Sequence, residues 1–319
     1  DEIQTDLMCG HNKAVRLLAE LDTGKDGFGL IERVKQGQGR PAKIYVKKFA
    51  TTDVPEVPIS APISDFPDSE MQTSQKQTSR LPLLGSQDFP KREASYLDNN
   101  YPDDLKRYLS TNTPSVLSYI GNLNLLNKKK VGFSGSRKVS DKGIAITKDC
   151  VEQLSEKDIC IVSGYAAGVD HIAHYTAIEQ GASTIIVLPE GIESFRIKKE
   201  FKDIWDWDRI LVLSEFMPDD KWTASRAMLR NNTIIGLSDI VVVVEAGETG
   251  GSLDAGLKTI ERGKYLFVPQ YGVVPDSALG NNLLINRGAF PIKMKQETGR
   301  ANLSKIFELL GISNKYSLF

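Results

Sequence analysis

Six consecutive residues, Ile-Val-Val-Val-Val-Glu at 240–245, place the tightest limit on the fold. β-Branched side chains favour an extended backbone, and five apolar positions in a row leave no face for water. A strand of this kind is buried on both sides, the condition of a parallel sheet covered by helices. Similar runs recur at 116–120, 130–134, 159–163, 183–188, 210–214 and 265–269. Amphipathic stretches fall between most of them, at 141–154, 168–180, 197–205, 224–237 and 252–262. The alternation predicts an α/β domain over 101–293, built as an extended Rossmann-like, doubly wound parallel sheet. A short helical tail is expected over 294–319.

The preceding hundred residues are of two other kinds. Residues 1–50 read as helix, turn and helix, followed by extended runs at 28–34 and 44–49 joined by a basic tip. That is part of the order of a winged helix. Asn12, Lys13 and Arg16 stand early in the second helix, where base edges of a duplex would be reached. Lys35, Arg40 and Lys43 stand on the wing, where phosphates pass. Residues 51–100 are rich in Pro, Ser, Thr, Gln and Asp and have too few apolar groups to offset the entropy of ordering. They are predicted to be a disordered linker.

A formal net charge of −1 means that any nucleic-acid surface must be local. Cys9, Cys150 and Cys160 have no C-x-x-C spacing, which points away from zinc and disulfides and towards a cytoplasmic setting. No signal peptide opens the chain and no apolar run is long enough for a membrane span. No cofactor and no metal are expected.

In open parallel sheets ligands lie beyond the carboxyl ends of the strands. After 130–134 come Gly135, Ser136, Arg137 and Lys138, a turn into a helix suited to an anion. It matches neither G-x-x-x-x-G-K-[ST] nor G-x-G-x-x-G. The run 159–163 ends in Ser163, and Gly164, Gly168 and Asp170 follow, with His174 one turn on as a supporting residue. His171 and His174, three apart and with no further ligand type nearby, do not make a metal site. Arg226 and Arg230 are four apart on a helix, with Asn231 beside them, and either face a ligand or only water. Gly247, Gly250, Gly251 and Ser252 form a second cradle, and Asn281 and Asn282 read as an exposed polar turn. Lys138, Lys198, Lys199 and Lys202 would extend a basic groove, with Tyr165, Phe195 or Trp222 available for base stacking. Ser136, Ser163 and Ser252 have no His-Asp relay, so binding is expected rather than catalysis.

The stretches YPDDLKRYL (101–109), GSR (135–137), SGYAAGVDHIAH (163–174), SEF (214–216), RN (230–231), GLSD (236–239), GSL (251–253) and GNNLLINRGA (280–289) stand in one order over about 190 residues. Together they resemble the DprA or Smf family of DNA-processing proteins. The resemblance implies a dimeric, non-enzymatic protein. It would bind and protect single-stranded DNA without sequence preference and load a RecA-type recombinase during transformation. Departures are Ala167 and Asn232, where arginines are usual, and Gly250 and Gln270, where Ser and Gly are usual. The stretches 9–22 and 29–49 resemble the amino-terminal domain of the RepA plasmid replication initiators. Other readings stay open: a nucleotide-derivative sensor, a phosphoribohydrolase-like enzyme, or a replication initiator acting on duplex DNA. The related hydrolases carry an essential glutamate where this chain has Ala255.

Overall fold

A computed structural model describes residues 31–34, 43–46 and 90–312. The first two stretches are strands β1 (Ile31–Val34) and β2 (Lys43–Val46), paired antiparallel with Ile31 opposite Val46. They belong to one unit of the chain, 1–78, and the rest to another, 79–319. Lys43 opens β2, while Asn12, Lys13, Arg16, Lys35 and Arg40 lie outside the described residues.

The second unit holds nine strands: β3 (Arg92–Ser95), β4 (Val116–Gly121), β5 (Lys130–Ser134), β6 (Cys160–Ser163), β7 (Thr184–Val187), β8 (Ile210–Ser214), β9 (Ile240–Val243), β10 (Tyr265–Pro269) and β11 (Phe290–Ile292). Their order in the sheet is β11-β10-β9-β5-β6-β7-β8-β4-β3. Strands β5 to β11 are mutually parallel, as the apolar runs require. Strands β4 and β3 add an antiparallel edge to the expected parallel sheet, since both of their pairings are antiparallel. Only residues 122–129 link β4 to β5, which lies four places away in the sheet. At roughly 3.3 Å per residue that link reaches β5 only if β4 ends at the edge where β5 begins, so β4 runs the opposite way. Strand β3 falls inside the stretch read as linker and buries Ala94 against the sheet. Strand β11 escaped notice because it is three residues long and holds Pro291, a residue suited to an edge.

The described helices are α1 (Asp103–Leu109), α2 (Asp141–Ser155), α3 (Val169–Glu179), α4 (Ala224–Leu237), α5 (Gly251–Glu261), α6 (Asn281–Asn286) and α7 (Ser304–Leu309). Alternate residues of the central strands face opposite layers. Phe133, Ile161 and Val242 pack with α2, α3 and α7. Cys160 and Val162 pack with α1 and α4, and Val241 and Val243 with α4, α5 and α6. The helix expected at 197–205 is instead a single 3-10 turn, Lys199–Phe201. There Phe195, Phe201, Trp205 and Trp207 pack ring on ring, with Trp205 and Trp207 centroids 5.2 Å apart, beside strands β7 and β8. Filling that space with four rings overrides the helical period.

Strand β5 has β6 on one side and β9 on the other, so the winding reverses between β5 and β9. The sheet therefore opens a crevice beyond the carboxyl ends of those two strands.

Candidate functional site

The crevice holds a cleft of about 440 Å³. One wall is the turn after β5, with Ser134, Gly135, Ser136 and Arg137. A second is α4 and the loop before it, with Trp222, Met228, Arg230 and Asn231. The third is the glycine turn entering α5, with Gly247, Thr249, Gly251 and Ser252, and Ala166, Asp170 and Ser277 close the rest. Two phosphate cradles read from separate strands thus become one site.

Its charge is set by which helix ends are already occupied. Helix α2 begins at Asp141, beyond the Gly135 turn, and its N-terminus holds the protein's own anion. Glu245, fully buried, accepts from the Ser140 amide at 3.0 Å, the Ser140 hydroxyl at 2.5 Å and the Ser277 hydroxyl at 2.6 Å. Ser140 in turn accepts from the Gly143 amide at 3.1 Å. This corrects the expectation that the α2 dipole faces a ligand: the Glu245 carboxylate already stands at that end. Helix α5, by contrast, begins after Gly250 at φ 106°, with no side-chain cap. Its first amides remain free for an anion.

Two cations face that opening in different ways. Arg137 is exposed and, among the described residues, makes no hydrogen bond or ion pair. Its guanidinium lies 5.9 Å from the Trp222 ring centroid. Arg230 is 4% exposed and forms part of the cleft floor. It donates to the Val187 carbonyl at 3.0 Å and stands 3.9 Å from Asp170 Oδ2, while its buried Nε has no hydrogen-bond partner among the described residues. Burial pulls its pKa down, Asp170 and Glu215 oppose that shift, and Arg137 adds to it.

Several expected contact residues prove to be scaffold. Ser163 is buried and donates to the Phe133 carbonyl at 2.8 Å, tying β6 to β5. Gly164 makes room for Arg230, because a Cβ there would stand 1.5 Å from Nη1. Gly168, at φ 77°, lies under the phosphate turn: a Cβ would meet the Ser136 carbonyl at 2.2 Å and the Arg137 Cα at 2.7 Å. Asn281 is buried rather than exposed, accepting from the Ala246 amide and donating to the Val244 and Pro269 carbonyls. Asn282 is exposed on α6 outside the cleft lining.

Arg226 is also drawn away from the site. It pairs with Asp220 at 2.5 Å and lies over the Phe216 ring, so the two arginines of α4 do not act as a matched pair. Lys138, Lys199 and Lys202 are exposed outside the cleft lining, and Lys198 is engaged with the Tyr165 carbonyl at 2.9 Å and ring at 4.2 Å. The cleft-lining side chains Thr249, Met228 and Ser277 were not identified from sequence, since no motif marks them. Among the described residues no cluster has the make-up of a metal site, and no helix is long and apolar enough to cross a membrane.

His174 lies below the surface of the site. It is fully buried, with Nε2 at 2.5 Å from the Gly164 carbonyl and Nδ1 at 2.7 Å from the Thr184 hydroxyl. Nε2–H donates to the Gly164 carbonyl, while the Thr184 hydroxyl stands between Nδ1 and the Ile161 carbonyl at 2.9 Å and has one proton to give to either. His174 therefore holds the 163–168 turn and is neither a phosphate ligand nor bonded to Asp170. Burial pushes its pKa from 6.5 down to about 3. Between those values only the unfolded chain takes up the proton, so the contribution is whole above pH 6.5 and lost as pH falls towards 3. Glu215, raised from 4.5 to about 6 mainly by burial, works the other way, because the folded state holds its proton first. We expect urea midpoints to fall steeply below about pH 4.5, where His174 is no longer opposed by Glu215. A His174→Gln protein should show a shallower fall, and an unchanged slope would exclude His174 as its source.

Fold and site together define a doubly wound α/β protein with an anion-receptive cleft at its switch point. Residues 93–301 match the family model described as DNA recombination-mediator protein A, and the chain belongs to that family. Residues 1–58 match the model of the replication initiator protein A (RepA) N-terminus. The chain is 35% identical over 207 residues to the DNA processing protein DprA of Streptococcus pneumoniae, covering 64% of this chain and 72% of that one. It is 30% identical over 200 residues to Protein Smf of Escherichia coli, covering 62% of this chain and 53% of that protein. A solved structure of DNA processing protein A from Helicobacter pylori, described by its single-stranded DNA binding mode, superposes with a TM-score of 0.57. That match has 25% identity and covers 71% of this chain and 98% of that one. The family resemblance drawn from the motifs is thus correct.

Proposed function

We propose that the domain binds single-stranded DNA through its backbone, with a phosphate held between Arg137 and the free amides at the start of α5. The reading rests above all on Arg137, an exposed guanidinium with no described hydrogen-bond or ion-pair partner, facing an uncapped helix end across the cleft. Arg230 below adds positive potential in a site of low dielectric. The Helicobacter relative, described as binding single-stranded DNA, supports the same ligand here. Backbone contacts carry no base preference, so binding is independent of sequence and weakens with salt.

The activity is binding without chemistry. Ala255 is buried and apolar at the position of the hydrolase glutamate, and Asp254 is paired with Lys258 at 2.8 Å. In this reading the domain works in the cytoplasm as a homodimer that protects incoming strands and hands them to a RecA-type recombinase. Residues 1–58 would contact duplex DNA separately. Fluorescence anisotropy of the whole chain with labelled oligothymidylate, at 50 and 200 mM salt, tests the core of it. Tighter binding at low salt supports the reading. Salt-independent binding, or complete competition by a free nucleoside monophosphate, would replace it with nucleotide sensing.

A further inference from the structure

Of the three aromatic side chains placed beside the strand ends, the fold leaves one for a ligand. Tyr165 lies against Phe201 with centroids 6.0 Å apart, and its hydroxyl accepts from the Lys198 amide at 3.0 Å. Phe195 is 6% exposed and wedged beside Trp205 and Trp207. Trp222 is 49% exposed and forms part of the cleft wall in the loop before α4.

An indole left half in water keeps a large apolar surface open to a ligand. Arg137 lies within cation–π range of it. Arg137 makes no described hydrogen bond or ion pair, so its N–H groups stay free for phosphate oxygens. Phosphate grip and ring surface are thus adjacent.

We infer that Trp222 is the platform on which one unpaired base stacks while Arg137 holds the neighbouring phosphate, and that this pair makes the cleft select single strands. The inference rests on the nucleic-acid reading above and adds to it the feature of the ligand that is recognised. A base within a duplex is already covered on both faces by its neighbours and has no ring surface to offer. An unpaired base has one, whatever its identity, so stacking adds affinity without adding sequence preference.

The test compares oligothymidylate with an abasic deoxyribose-phosphate strand of equal length, using the whole chain and both anisotropy and tryptophan emission. Trp205 and Trp207 are each 5% exposed, so quenching by a ligand reports Trp222. We expect oligothymidylate to quench emission and to bind about 5- to 150-fold more tightly than the abasic strand. Trp222→Ala should abolish the quench and bring oligothymidylate to the affinity of the abasic strand, whereas Trp222→Phe should keep most of the difference. Equal binding of the two strands by the native protein, or native affinity in Trp222→Ala, would overturn the stacking role and leave the phosphate reading intact. Failure of the native protein to bind either strand would overturn both.

Discussion

Arg137→Ala is expected to bind oligothymidylate about 10- to 150-fold more weakly than the native chain, with no change in its urea midpoint. A charge-assisted hydrogen bond contributes about 1.5–3 kcal/mol, which corresponds to a factor of that size. Arg137 is exposed and its one described side-chain contact is with the Trp222 ring, so truncation leaves no buried group behind. Loss of one phosphate contact on a single strand should also lower the slope of log K against log salt by about 0.7. Arg137→Lys should restore the salt slope while recovering only part of the affinity, because an ammonium cannot grip a phosphate with two parallel bonds. Titrations at four salt concentrations would show both effects. Equal affinity of Arg137→Ala and native protein would remove the central contact of the proposed site.

Arg230→Ala should act on the other axis and cost about 3–5 kcal/mol of stability, the range seen when one member of a buried ion pair is removed. Arg230 and Asp170 are 4% and 8% exposed, and among the described residues the carboxylate accepts besides only a long bond, 3.4 Å, from the Ala166 amide. Without the guanidinium, Asp170 would be a buried charge facing an empty space, and the Val187 carbonyl would lose its donor. Glu215, whose carboxylate Arg230 helps to stabilise, would also lose a nearby cation. Adding Asp170→Asn to Arg230→Ala should recover part of the loss, since a neutral amide tolerates burial better than an orphaned carboxylate. Urea denaturation of the single and double variants measures this directly. A single variant as stable as the native chain would mean that Arg230 is held for the ligand alone.

Together the two substitutions separate roles that look alike in the sequence. Arg137 follows a strand and Arg230 stands within a helix beside two asparagines, and each reads as a phosphate contact. The structure puts one in solvent and the other in the floor of the cleft, clamped between the Val187 carbonyl and Asp170. Arg226, one helical turn before Arg230, has a third fate, because Asp220 in the preceding loop comes within 2.5 Å of it. Helical spacing says that Arg226 and Arg230 share a side of α4, but it cannot say what each meets there.

The fold was legible wherever burial is total. Strands β5 to β10 carry apolar side chains on both faces, and that pattern survives any tertiary detail because water is excluded on each side. The turns after β5 and before α5 were legible too, since glycine marks a backbone that must approach something closely. Contacts between residues far apart in the chain were not. Glu245 closing the N-terminus of α2 across 105 positions, His174 bracing the Gly164 turn and Gly168 supporting the Ser136 carbonyl all depend on which strands become neighbours. Local sequence sets backbone preference and the pattern of burial. Only the packed sheet decides which helix end keeps its amides open and which arginine keeps its charge in water, because both depend on the long-range partners that reach them first.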